Sequence, residues 1–312
     1  MSVFVFFLQG TVVLLLAPLA TGCVRWCKAR FQGRHGASPF LPYVRFLTLL
    51  RKEMVIAETA SWIFHAAPFV VLCTAVFVAF SLPLLTSAPP PGGLDNFILF
   101  AAILALGSVF LVLGGLDPGT AFGGMGASRE MTLASLVEPA MITALAAFAV
   151  VSDNSAISGM LAAGGASLLQ HPALVLSLVA LGLVALAENA RYPVDNPATH
   201  LELTMVHEAM ILEYSGAYLA IIELASSIRL TVFALLLANL LVPFPLLATA
   251  ISFSGALATI GATVAKLVIA MFLLALWESS IPKMRFYRMQ EYLSGAFFIA
   301  LAGLAFSLLS LP

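Results

Sequence analysis

FILFAAILALGSVFLVLGGL, residues 97–116, is a run of twenty residues with no charge, no proline and no side-chain amide. A helix of that length rises about 30 Å, the thickness of a bilayer's hydrocarbon core. Comparable runs recur through the 312-residue chain, which is 62% hydrophobic and 9% charged with a mean hydropathy of +1.06. A soluble domain carries roughly 25% charged residues, and a soluble α-protein would interrupt its buried helices more often. A transmembrane β-barrel would alternate apolar and polar residues in segments of about ten. The sequence therefore predicts an all-α, polytopic integral membrane protein with the lipid bilayer as its solvent. It forms a single transmembrane domain over 1–312.

Eight spans are predicted, near 3–22, 63–85, 97–116, 131–151, 172–190, 217–241, 254–277 and 292–311. APPPGG at 88–93, LDPGTAFGG at 116–124 and VPFP at 242–245 punctuate the connections. No internal repeat marks an inverted-repeat transporter. The N-terminus, MSVFVFFLQG, lacks a basic n-region and is expected to be a permanent first span. Of the fourteen Lys and Arg, seven fall between spans one and two: Arg25, Lys28, Arg30, Arg34, Arg45, Arg51 and Lys52. Arg129, Arg191, Lys283, Arg285 and Arg288 fall on later connections of the same side, and the opposite side has none. By the positive-inside rule that side is cytoplasmic, so both termini are expected on the periplasmic face of a bacterial inner membrane.

The net charge of −1 indicates no nucleic-acid partner. Cys23, Cys27 and Cys73 match neither a disulfide framework nor a zinc or iron–sulfur spacing, so no cofactor is expected on this chain. Within PYVRFLTLLRKEMV, residues 42–55, Val44, Leu47 and Leu50 recur at helical spacing among Arg45, Arg51 and Lys52. That predicts a cytoplasmic amphipathic helix after the first span, lying on the membrane or on a partner.

One connection is out of keeping with the rest. ENARYPVDNPATHLELTMVHEAMILEYSG, residues 188–216, concentrates Glu188, Asp195, Glu202, Glu208 and Glu213 with Arg191, His200 and His207. Pro193 and Pro197 impose turning or extended chain. Thr199 with Glu202 reads as a capping box for a helix over 200–214, with His200, Thr204, His207, Glu208 and Ile211 along one side. The histidines lack an H-E-x-x-H spacing, so no metal site is expected. Inside the spans lie Glu138, Glu223, Arg229 and Lys266, for which two readings stand: an ion pair of Arg229 or Lys266 with Glu138 or Glu223 that only fixes packing, or an ion path. Buried charge of this kind faces a bundle interior or a water-filled path. Carboxylates shielded from water, and histidines without help, exchange protons near neutral pH. A relay from the 188–216 connection toward Glu138, with Lys266 included, is the reading these residues support.

Three blocks give the chain a family resemblance: E-x-x-R-x-P-x-D at 188–195 with LEYSG at 212–216, GLDPGTAFGGMGASRE at 115–130 with LVEPAM at 136–141, and the basic RFQGRHG at 30–36. The chain resembles the first membrane subunit of respiratory complex I. It is more similar to the corresponding subunit of energy-converting [NiFe] hydrogenases and formate hydrogenlyases. Where complex I subunits carry further acids after the second proline, this chain has Ala198, Thr199 and His200. The resemblance implies a non-catalytic membrane subunit of an oxidoreductase complex. It would anchor hydrogenase-like and iron–sulfur peripheral subunits beside antiporter-like membrane subunits and move H⁺ or Na⁺. Ni–Fe and Fe–S centres would sit in those partners. It also implies roles for Glu138, Glu188, Asp195, Glu202 and Glu213 in ion transfer. Arg129 and Arg191, with Arg34, Arg229 and Glu223, would serve partner docking or charge pairing. A quinone-binding subunit of a complex I relative and an independent secondary transporter are the alternatives.

Overall fold

The structure, a computed structural model, describes residues 2–83, 90–195, 206–243, 253–282, 284 and 286–310. The helices among them are α1 (Ser2–Phe31), α2 (Leu41–Leu50), α3 (Trp62–Ser81), α4 (Phe97–Leu116), α5 (Ala121–Ser152), α6 (Ile157–Gln170), α7 (Ala173–Glu188), α8 (His207–Ile211), α9 (Gly216–Leu241), α10 (Phe253–Ser280) and α11 (Phe286–Leu309). Seven are long and apolar enough to cross a membrane: α1, α3, α4, α5, α9, α10 and α11. The remaining predicted span is α7, whose 16 residues rise only about 24 Å. The chain is an all-α, multi-pass membrane protein.

Helix ends follow local chemistry. α4 begins and ends where the apolar run does, because Asn96 is an N-cap whose Oδ1 accepts the Ile98 amide at 2.8 Å. α1 continues nine residues past its predicted end, to Phe31. Its last turn carries Lys28 and Arg30, which complement the helix C-terminal dipole. α5 starts ten residues earlier than expected, at Ala121, where Thr120 Oγ1 caps the Gly123 amide at 3.3 Å. The glycine-rich connection is thus helical. α6 occupies what reads from the sequence as a plain connection. Its start is held by Asp95, 1% exposed, whose carboxylate takes the Ser158 amide (3.2 Å) and whose carbonyl accepts the Ile157 amide (2.8 Å). The helix predicted over 200–214 is described only from residue 206, and there it is short: α8 spans five residues and Leu212–Ser215 lie outside it. Thr199, His200, Glu202, Thr204, Lys283 and Arg285, and parts of the predicted turns at 88–93 and 242–245, lie outside the described residues.

α9 is the central helix, with 67% of its apolar window buried against 22% for α10, whose Leu257, Ile269 and Leu273 face outward. α9 packs on α1, α3 and α10, while α5 is wrapped by α4, α7 and α11. Small residues set the close approaches, as membrane helices require. A Cβ on Gly107 would meet Thr74 at 2.6 Å, and one on Gly303 would meet Ser177 at 2.3 Å. α2 is the predicted amphipathic helix. Val44 and Leu47 are 58% and 57% exposed, while Arg45 turns inward to pair with Glu223 of α9.

Candidate functional site

The 188–216 connection folds by anchoring to its neighbours. After α7 the chain turns through Arg191–Val194, with a cis Tyr192–Pro193 bond. The Tyr192 carbonyl accepts Trp277 Nε1 at 3.2 Å, Lys28 lies over the Tyr192 ring, and the Pro193 carbonyl accepts the Met284 amide at 3.0 Å. Asp195, 2% exposed, then closes the neck of the segment. Its Oδ2 accepts the amides of Val206 (3.3 Å) and His207 (3.4 Å). α8 drops Ala209 and Met210 onto glycine surfaces of α4 and α5. A Cβ on Gly115 would lie 3.0 Å from Met210, and one on Gly126 would lie 2.9 Å from Ala209.

The Tyr214-Ser215-Gly216 sequence is a packing joint. Tyr214 stacks on Phe64 (4.1 Å, 5°) and donates its hydroxyl to the Phe64 carbonyl at 3.3 Å. Ser215 exchanges hydrogen bonds with the Val55 backbone. Gly216 adopts φ +54°, with the Lys52 and Glu53 carbonyls 2.9 Å from where a Cβ would be. Only glycine combines that dihedral with that approach.

A cavity of about 450 Å³ opens between α1, α2, α8, α9 and the ends of α7 and α10. Arg25, Lys28, Arg45, Arg191 and Arg229 line it with Glu188, Glu208, Glu223 and Glu278, beside His207. The charges are cross-linked. Glu278, its side chain wholly buried, takes Lys28 Nζ at 2.8 Å and Arg191 Nη1 at 3.3 Å. Arg229, 7% exposed, lies 3.5 Å from Glu188, whose carboxyl faces Ser108 of α4. Glu130 on α5 is within electrostatic reach of Arg229 and Asp195, and Glu138, two turns deeper, is within reach of Glu188. Glu130, Glu138 and Asp195 thus belong to one electrostatic neighbourhood with the Glu188–Arg229 pair. Burial and the positive Arg229 push the His207 imidazole down to about 4. The ring therefore stays neutral where an unperturbed histidine would titrate.

Glu188, Arg191, His207, Glu208, Glu223 and Arg229 line this cavity, Asp195 lies beside it on the His207 amide, and Glu138 is within electrostatic reach of Glu188. The expected pairings differ: Arg229 meets Glu188 and Glu223 meets Arg45. Lys266 stands apart. Its Nζ donates to Asn239 Oδ1 (2.8 Å) and to the Val242 carbonyl (2.6 Å), neutralising the C-terminal end of α9 about 20 Å along the helix from Arg229. Glu213 is half-buried outside the cavity wall, and Arg34 is exposed on the connection to α2. Arg129 is half-buried on α5 beside Glu130. Among the described residues no three His, Cys, Asp or Glu side chains are grouped as metal ligands.

The family model described as NADH dehydrogenase matches residues 3–308, nearly the whole chain. The chain belongs to the NADH dehydrogenase family. It is 32% identical over 281 residues to hydrogenase-4 component C of Escherichia coli K12, covering 89% of this chain and 87% of that protein. It is 29% identical over 286 residues to formate hydrogenlyase subunit 4 of the same organism, covering 91% and 92%. Among solved structures, a chain of the archaeal membrane-bound sulfane sulfur reductase, a respiratory membrane complex, shares the fold. Its TM-score is 0.78 at 17% identity, over 97% of this chain and 99% of that one.

Sequence reasoning about this NADH dehydrogenase family member missed Glu278, Lys28, Arg25, Arg45 and Glu130 as site residues. The basic ones read as membrane-flanking charge, and Glu278 as the end of a span. Their pairing is long-range, across α1, α7 and α10, and has no local spacing. An acid placed where the positive-inside rule expects bases, as in WESS at 277–280, was the available signal.

Proposed function

We propose that this chain is the membrane anchor and proton-carrying subunit of a multi-subunit hydrogenase- or formate hydrogenlyase-type complex. Hydrogenase-like and iron–sulfur subunits dock over the basic end of the bundle, which faces the cytoplasm, and antiporter-like membrane subunits lie alongside. The two Escherichia coli relatives support the setting. The observation that carries the ion role is the buried Glu188–Arg229 pair at the floor of the cavity, linking Glu130, Glu138 and Asp195 into one electrostatic set. Carboxyls that share one cation titrate as a set rather than singly. An electron arriving on a cluster above the cavity adds negative charge and favours proton uptake by that set. Release toward Glu138 as the charge leaves completes the coupling.

The test is ion movement by the assembled complex in proteoliposomes, read with a lumenal pH dye alongside hydrogen evolution. Glu138→Gln keeps the length and polarity of the side chain but cannot take up or release a proton. It is expected to leave assembly and hydrogen evolution in place and to abolish proton movement. Unchanged proton movement would leave the chain a passive anchor. Inhibition of the intact complex by a quinone-site inhibitor would support the second reading, a quinone headgroup in the 450 Å³ cavity.

A further inference from the structure

A second cavity, about 490 Å³, runs between α7, α9 and α10. Its wall is apolar along α9 from Leu230 to Val242, about 18 Å of helix, and polar only at its ends. Lys266 lies at one end and is committed to the terminus of α9. Asn189 and Arg191 lie at the other and also line the charged cavity, so the two spaces meet there. The length is close to one leaflet of a ~30 Å hydrocarbon core.

From this geometry we infer that the groove holds an acyl chain of a bound phospholipid, with its phosphate at Arg191. The guanidinium touches Glu278 through Nη1 at 3.3 Å, and its fork of five N–H donors suits a phosphate as well. Lys28, on the other side of Glu278, lines the adjoining charged cavity. Asn189 Nδ2 donates to the Ala185 carbonyl at 2.8 Å, while Asn189 Oδ1 is buried with no donor among the described residues. A hydroxyl or ammonium group of the headgroup supplies that donor. The occupant is thus an amphiphile with a phosphate-bearing head and a tail of one leaflet's length. It seals the charged cavity from the hydrocarbon phase. The inference does not depend on ion movement.

The test fills the groove. Gly182 lines it, and a Cβ there meets nothing within 4 Å, so Gly182→Leu projects into the groove without disturbing α7. Gly295→Leu on α11, which also has open space at Cβ and lies off the groove wall, is the matched control. The complex containing each variant is purified in mild detergent, and retained phospholipid is counted by native mass spectrometry and by phosphorus assay of extracts. One tightly held phospholipid is expected in the wild type and in Gly295→Leu. In Gly182→Leu its retention falls at least about tenfold, since each displaced CH₂ is worth a factor of about four in affinity. Equal retention in Gly182→Leu, no retained phospholipid in the wild type, or a phosphate-free lipid in its place would each overturn the inference.

Discussion

Replacing Asp195 by alanine tests how the charged connection is held. The two amides that its Oδ2 accepts, at 3.3 and 3.4 Å, belong to Val206 and His207, at the far side of the neck. Both contacts exceed the usual N–H···O length, so each contributes about 1 kcal/mol rather than the 1.5–3 of an ideal bond to a charged acceptor. Their sum, about 2 kcal/mol, corresponds to roughly thirtyfold in the opening equilibrium of the neck. Amide hydrogen exchange reads that equilibrium directly. In Asp195→Ala, exchange at Val206 and His207 is expected to accelerate about thirtyfold, while amides in the middle of α9 and α5 are unaffected. Asp195→Asn keeps one acceptor oxygen and should fall between the two. Unchanged exchange at both amides in Asp195→Ala would show that the neck is closed by something other than this carboxylate.

The pH response of stability follows from His207. Its folded-state value of about 4 lies below the ordinary 6.5, so the unfolded chain binds the proton first. Stability is therefore lost as pH falls from about 6.5, and the loss, up to about 3 kcal/mol, is complete below about 4. Thermal unfolding of the complex across that window should show a steeper decline in wild type than in His207→Gln, and parallel curves would remove His207 from the account. Lys266→Met removes the cation at the end of α9 and leaves the Val242 carbonyl without its 2.6 Å donor. It should lower stability by about 1–2 kcal/mol in thermal melts. Proton movement should persist, because Lys266 lies far from the Glu188 group; its loss would return Lys266 to the path.

The spans were legible because twenty-residue apolar runs have one physical solution in a bilayer, and α4 matches at both ends because an asparagine cap marks its start. α6 was not legible. It is short, and what starts it is Asp95, more than sixty residues away in sequence. The early start of α5 was hidden by glycines that read as turn formers but serve as a surface on which α8 packs. The concentration of charge at 188–216 was legible, and the fold sets Glu188 and His207 in the wall of the charged cavity with Asp195 on the His207 amide. Its electrostatic partners did not announce themselves. Lys28 and Glu278 lie 250 residues apart, and only the packing of α1 against α10 brings them to 2.8 Å. Periodicity reports which face of a helix is buried, not which helix it meets.

The central claim is that the carboxyl group of Glu188 changes its protonation when the docked redox module changes charge. Redox-induced infrared difference spectra of the intact complex measure this directly, through the carbonyl stretch of protonated carboxyls. The wild type should show a carboxyl band that appears or shifts between oxidised and reduced complex, and Glu188→Gln should lack it while its metal centres are still reduced. A difference spectrum in which Glu188→Gln and wild type coincide in the carboxyl region would contradict the claim.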